Sequence, residues 1–169
     1  MNLPTWITLI RIFLVPVFMS LVLEQVRFGV VWAVAVFIAA ALTDGLDGYV
    51  ARARKETTVF GQLMDPIADK LLVSAALITL VEQEMISAWL AVIIIGREFA
   101  VSGLRMVVAT RGVVIPAGRW GKLKTVSQIV SIVAVLIGLP YAVAMLWIAA
   151  GITLVSGIHY FLGAQEYLR

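Results

Sequence analysis

The sequence predicts an all-α polytopic membrane protein, with six transmembrane helices behind a short N-terminal interfacial segment, forming one domain over residues 1–169. Three observations carry that prediction. Hydrophobic residues make up 62% of the chain and charged residues 14%, against about 25% charged in an ordinary soluble domain. So few charges do not provide the polar coat that a soluble domain of this length needs. The charges also cut the chain into apolar runs that approach the length of a bilayer span, and the basic residues gather in alternate loops. There is no cysteine and a single histidine, His159, which excludes a disulfide scaffold, a Cys-ligated zinc or iron–sulfur centre, and a multi-histidine metal site. The net charge of +3 is mild, and no nucleic-acid partner is expected.

The opening residues 1–8 lack the charged-then-apolar order of a secretory signal. Pro4 fits a first helical turn and Trp6 the headgroup level, so the segment reads as interfacial. Helix one is predicted over 8–24, because residues 12–23 carry no charge and Glu24 and Arg27 follow. Helix two, over 28–51, is charge-free until Asp44. Helix three, over 59–82, holds the apolar run 71–81 and stops at Glu82-Gln83-Glu84. Helix four, over 85–110, is apolar except for Arg97, Glu98 and Arg105. Residues 125–165 contain no formal charge and are too long for one span. Pro140 divides them into helices at 120–139 and 141–165. The loops near residues 24–27, 82–84 and 140 are neutral or acidic, whereas Arg52, Arg54 and Lys55, and Arg111, Arg119, Lys122 and Lys124, fill the two alternate ones. By the positive-inside rule those two loops, and both termini, face the cytoplasm.

The informative segment runs from Asp44 to Asp69. Asp44 and Asp47 are three residues apart, Asp65 and Asp69 four apart, so each pair shares a helix face. Both pairs sit at the predicted cytoplasmic ends of helices two and three, which are expected to be antiparallel neighbours. A carboxylate within a membrane is unfavourable by roughly 2.5–3.5 kcal/mol on insertion scales, and four of them repel one another. Arg52 and Lys70 offer positive charge nearby, but an all-oxygen donor set fits Mg²⁺ or Mn²⁺, or Ca²⁺, better than Zn²⁺. Four carboxylates have the capacity for two such ions, which together bind a pyrophosphate and stabilise attacking and leaving oxygens. Gly48 and Gly61 leave room for close approach to the backbone. The competing structural reading makes these carboxylates interfacial acids paired with nearby bases; two pairs with accompanying glycines and an arginine weigh against it.

The pattern D-x-x-D-G-x-x-A-R, followed after eight residues by G-x-x-x-D-x-x-x-D, is complete here as Asp44, Asp47, Gly48, Ala51, Arg52, Gly61, Asp65 and Asp69. It resembles the signature of the CDP-alcohol phosphotransferases. The resemblance implies six transmembrane helices, a homodimer, a CDP-linked lipid such as CDP-diacylglycerol as donor, and release of CMP when a hydroxyl attacks the β-phosphorus. It implies that Asp44, Asp47, Asp65 and Asp69 share two divalent metals, that Asp69 is the general base, and that Asp44, Asp47, Gly48, Ala51, Arg52 and Gly61 bind the CDP-lipid. It also implies a multi-pass protein of the inner (cytoplasmic) membrane with its active site facing the cytoplasm.

Residues 64–71, Gly96-Arg97-Glu98-Phe99 with Ser102-Gly103-Leu104-Arg105, Gly121-Lys122-Leu123-Lys124-Thr125, and the opening Asn2, Pro4, Ile7, Thr8 and Arg11 are similar to the branch of the family whose acceptor is sn-glycerol 3-phosphate. The implied product is phosphatidylglycerophosphate. A phosphorylated acceptor needs cations, and Arg105, Arg111, Lys122 and Lys124 are the candidates; ordinary contact of such bases with anionic headgroups is the competing reading. Phosphatidylglycerol, inositol phosphate or an amino alcohol are the alternative acceptors. A prenyltransferase and a divalent-cation transporter are the alternatives of other classes. Arg97-Glu98 reads as an internal ion pair, Glu98 neutralising Arg97 or Arg105. His159 reads as a structural hydrogen-bonding residue, Tyr160 as packing, and Gly138 and Gly151 as points of close helix contact.

Overall fold

A computed structural model describes residues 3–24, 27–54, 59–110 and 119–168; within its helices, the side chains at 3–5, 7, 44–54, 59–66, 69, 110, 119–120 and 165–168 lie outside the description. The described residues form six helices and no strand: α1 (Leu3–Leu23), α2 (Gly29–Arg54), α3 (Val59–Glu82), α4 (Ala88–Thr110), α5 (Arg119–Leu136) and α6 (Ala142–Leu168). The predicted order is therefore observed, with ends displaced by a few residues. The largest difference is at the start. The stretch expected as a separate interfacial segment is helical from Leu3 onward, because a proline in the first turn gives up no helical hydrogen bond. The helix also continues through Pro16.

The chain divides into two compact units, residues 1–85 and 86–169. In the first, α1 packs against both α2 and α3, whereas α2 and α3 meet only slightly among the described residues. Thr8, Arg11, Val15, Phe18 and Val22 are buried along one stripe of α1 at intervals of three and four, the spacing of a single helix face. Ala33, Phe37 and Ala40 form the corresponding stripe of α2, and the Phe18 and Phe37 rings meet at 5.5 Å between centroids. Ala68, Leu72, Ala75, Ala76 and Leu80 are the buried face of α3.

In the second unit α6 is central, packed against α4 and α5. Its contacts fix the directions. Arg97 of α4 reaches Ser156, and Leu104 and Val108 pack with Ala164, so α4 and α6 run parallel. Lys124 of α5 lies level with Glu98 while Gln128 bonds Thr153 at 2.8 Å, so α5 runs antiparallel to both. Parallel α4 and α6 are what alternating spans require. Among the described residues, Ala142–Ala164 is the stretch long and apolar enough to cross a membrane by itself; its 23 residues give about 34 Å of helix for a hydrocarbon core of about 30 Å. Shorter apolar helical stretches occur at Thr8–Leu23 and Gly29–Thr43. Large apolar side chains such as Phe13, Trp32, Trp89, Met106 and Ile148 point outward.

The described turns are tight. After α5, Gly138 adopts φ 69°, with its N–H bonded to Val135 O and that of Leu139 to Ala134 O. This is a Schellman ending, for which glycine is the ordinary residue. After α3 the same pair of bonds forms around Glu84, at φ 56°.

Candidate functional site

The first unit carries the eight motif positions. Asp44, Asp47, Gly48, Ala51 and Arg52 belong to α2, and Gly61, Asp65 and Asp69 to α3. Their side chains lie outside the described residues, and so do any distances between them. The helices still constrain the carboxylates. The 3- and 4-residue spacings now fall within observed helices, so each pair shares a face. Only four residues separate Arg54 from Val59, which brings those helix ends within about 18 Å of each other. Asp44 is ten residues before Arg54 and Asp69 ten after Val59; Asp47 and Asp65 are seven and six from the same ends. The two pairs are thus at matching distances from one connection. Beside them on α3, Ala68 is fully buried and Lys70 half-buried.

The second unit carries a polar cluster in an otherwise apolar bundle. Glu98 on α4 is 8% exposed. Both of its oxygens face Lys124 of α5, at 2.6 and 2.7 Å from Nζ. Arg97 approaches Glu98 at only 3.5 Å and spends its other end on Ser156 of α6, where Nη2 donates to Oγ at 2.9 Å. The Arg97 side chain crosses directly over Gly157, where an added Cβ would stand 3.0 Å from Nε and 3.1 Å from Cγ. Eight residues after Arg97 on α4, Arg105 turns to Tyr160 of α6. Its Nε donates to the phenol oxygen at 3.1 Å and its Cζ stands 5.2 Å from the ring centroid.

These contacts revise several expectations. The expected Arg97–Glu98 pair is present at 3.5 Å, but the shorter partner of Glu98 is Lys124, whose ammonium meets both carboxylate oxygens. Tyr160 is more than packing, since it holds Arg105. His159 is exposed. Among the described residues nothing lies within 4 Å of a Cβ added at Gly138 or Gly151, so no described helix approaches closely there; Gly157, which the sequence alone did not single out, has the Arg97 side chain lying across it. Of the proposed acceptor cations, Arg105 and Lys122 are exposed and Lys124 is half-buried against Glu98; Arg111 lies outside the described residues.

The profile of the CDP-alcohol phosphatidyltransferase family matches residues 1–155. The chain belongs to that family. This phosphatidyltransferase is similar along nearly its whole length to curated bacterial proteins. It is 43% identical to the CDP-diacylglycerol–glycerol-3-phosphate 3-phosphatidyltransferase of Bacillus subtilis (strain 168), over 99% of this chain and 97% of that one. It is 41% identical to the protein of the same name from Pseudomonas fluorescens, over 100% of this chain and 93% of that one, and 35% identical to that of Rickettsia typhi, over 98% of each. The phosphatidyltransferase match includes all eight motif positions, Arg105 and Lys124, and stops just short of Ser156, Gly157 and Tyr160.

Proposed function

We propose that this phosphatidyltransferase moves the phosphatidyl group of CDP-diacylglycerol to sn-glycerol 3-phosphate, giving phosphatidylglycerophosphate and CMP. The observation that carries this reading is the full-length similarity to relatives that bear that activity in their names, joined to an uninterrupted eight-position motif on two helices of one unit. Residues 1–169 act as one catalytic membrane domain of six spans, multi-pass in the inner membrane, with the aspartates opening to the cytoplasm and a second copy completing a homodimer.

Asp44, Asp47, Asp65 and Asp69 are the ligands of two divalent ions, Mg²⁺ or Mn²⁺. The donor set fits: four carboxylates and no sulfur or imidazole, at matching distances from one connection. Held by these residues, such ions would supply charge neutralisation of the diphosphate and make CMP a better leaving group. Gly48, Ala51 and Gly61 keep the helix faces low enough for the cytidine diphosphate, and Arg52 adds positive charge beside it. Asp69 accepts the proton of the acceptor hydroxyl as its oxygen bonds to the β-phosphorus and the bond to CMP breaks. Arg105, Arg111, Lys122 and Lys124 meet the acceptor phosphate, Lys124 sharing its charge with Glu98.

Purified protein given Mg²⁺ and CDP-diacylglycerol should release CMP with glycerol 3-phosphate and not with phosphatidylglycerol, inositol phosphate or an amino alcohol. Release with only one of the other acceptors would overturn the acceptor; no release with any alcohol would overturn the reaction. EDTA should abolish turnover and added Mg²⁺ or Mn²⁺ restore it. Asp69→Asn should lose turnover while retaining much of its nucleotide binding; a wild-type rate in that variant would remove Asp69 as the base.

A further inference from the structure

We infer that Tyr160 is a positioning residue for the acceptor phosphate: it fixes the guanidinium of Arg105 so that the terminal N–H groups alone are presented to the ligand. The inference rests on the reading of Arg105 as an acceptor contact.

An arginine guanidinium has five N–H donors in a rigid plane, but its long stem lets that plane turn freely unless something holds it. Here one side chain holds it twice. The phenol oxygen of Tyr160 accepts from Nε at 3.1 Å, and the ring stands 5.2 Å from Cζ. The first contact fixes the direction of the Nε edge, and the second adds attraction between the cation and the ring. Tyr160 is itself held, because its ring packs on the buried cluster of Leu104, Val108 and Ala164. With Nε occupied, Nη1 and Nη2 have no acceptor among the described residues, and Arg105 is exposed. That fork is the part of arginine that binds two oxygens of a phosphate side by side. Arg97, eight residues earlier on the same helix, makes the contrast: its side chain is 10% exposed and its terminal nitrogens are directed to Glu98 and Ser156. Arg97 ties helices together, whereas Arg105 is aimed.

The phosphate that meets this fork belongs either to the soluble acceptor or to the diphosphate of the lipid donor, and kinetics separate the two. CMP release would be measured for wild type, Tyr160→Phe, Arg105→Ala and the double variant, varying each substrate in turn. Tyr160→Phe keeps the ring and its packing and removes only the acceptor for Nε. It should raise the KM for glycerol 3-phosphate by roughly fivefold or more while kcat and the KM for CDP-diacylglycerol stay within about twofold, as expected for loss of one hydrogen bond to a charged group. In the Arg105→Ala background the same substitution should have no further effect. A wild-type acceptor KM in Tyr160→Phe overturns the inference, as does a parallel loss in kcat and both KM values, a rise confined to the CDP-diacylglycerol KM, or additive effects in the double variant. If Arg105→Ala itself leaves the acceptor KM unchanged, the reading of Arg105 fails and the inference with it. Failure of the proposed reaction is seen separately, in the wild-type enzyme.

Discussion

Gly157 is bare because Arg97 passes over it. A Cβ there would stand 3.0 Å from Nε and 3.1 Å from Cγ, and the Arg97 side chain has little freedom to retreat while Nη2 holds Ser156. Gly157→Ala should therefore lower stability by about 1–3 kcal/mol, the usual effect of overpacking, read as a lower unfolding temperature in detergent. Gly151→Ala is the matched control. It lies on the same helix with nothing within 4 Å of an added Cβ, so relief of glycine's backbone freedom should stabilise by about 0.5–1 kcal/mol. Both glycines look alike in the sequence, where neither neighbour nor helix crossing is visible. The same limit applies to Tyr160. An aromatic residue on an apolar helix is most simply a packing residue, and only the placement of α4 parallel to α6 brings Arg105 beside it. By contrast, the family motif was legible because it lies in residue type and local spacing, which survive without tertiary information, and the family match covers all eight of its positions.

At the scale of elements, the pair Glu98–Lys124 is the junction of α4 and α5. Side-chain exposures of 11% and 12% make it a nearly dry ion pair, for which loss of one partner is far more damaging than loss of both. Lys124→Met should destabilise the protein by about 1.5–3 kcal/mol, because Glu98 then keeps only its 3.5 Å contact with Arg97, and adding Glu98→Met should recover part of that loss. A double variant less stable than either single one would contradict this account. The end of α3 offers an opposite test. Glu84 occupies the left-handed position of a Schellman turn, at φ 56°, a conformation that disfavours side chains by roughly 1–2 kcal/mol. Glu84→Gly should accordingly raise the unfolding temperature. The helices themselves were readable from the intervals between charges, and α3 matches its predicted bounds. Their ends were not, because turn geometry and capping depend on one or two residues: α1 absorbs Pro4 into its first turn, and α5 stops three residues early so that Gly138 can close it. The slight contact of α2 with α3, with α1 against both, was likewise invisible. Adjacency in sequence favours neighbouring helices but does not say which face a third helix will occupy.

For the whole molecule, the direction of each helix is the quantity that matters, because it decides on which side of the bilayer the chemistry lies. Parallel α4 and α6, with α5 opposed, agree with alternating spans. A reporter joined after Arg169 should report the cytoplasmic side; a signal from the opposite side would reverse the proposed orientation. The Glu98–Lys124 contact also bears on how the chain enters the bilayer. In the proposed six-span arrangement each of these charges burdens its helix by roughly 2.5–3.5 kcal/mol during insertion. They lie on consecutive helices, 26 residues apart; Arg97 of α4 stands 3.5 Å from Glu98, and the shorter pair with Lys124 forms only when both helices have arrived. The two helices are thus better partitioned as a hairpin than one by one, and α4 should insert more fully in a nascent chain that includes α5 than in one ending before it. In that arrangement the Glu98–Lys124 pair belongs to biogenesis as much as to the finished fold.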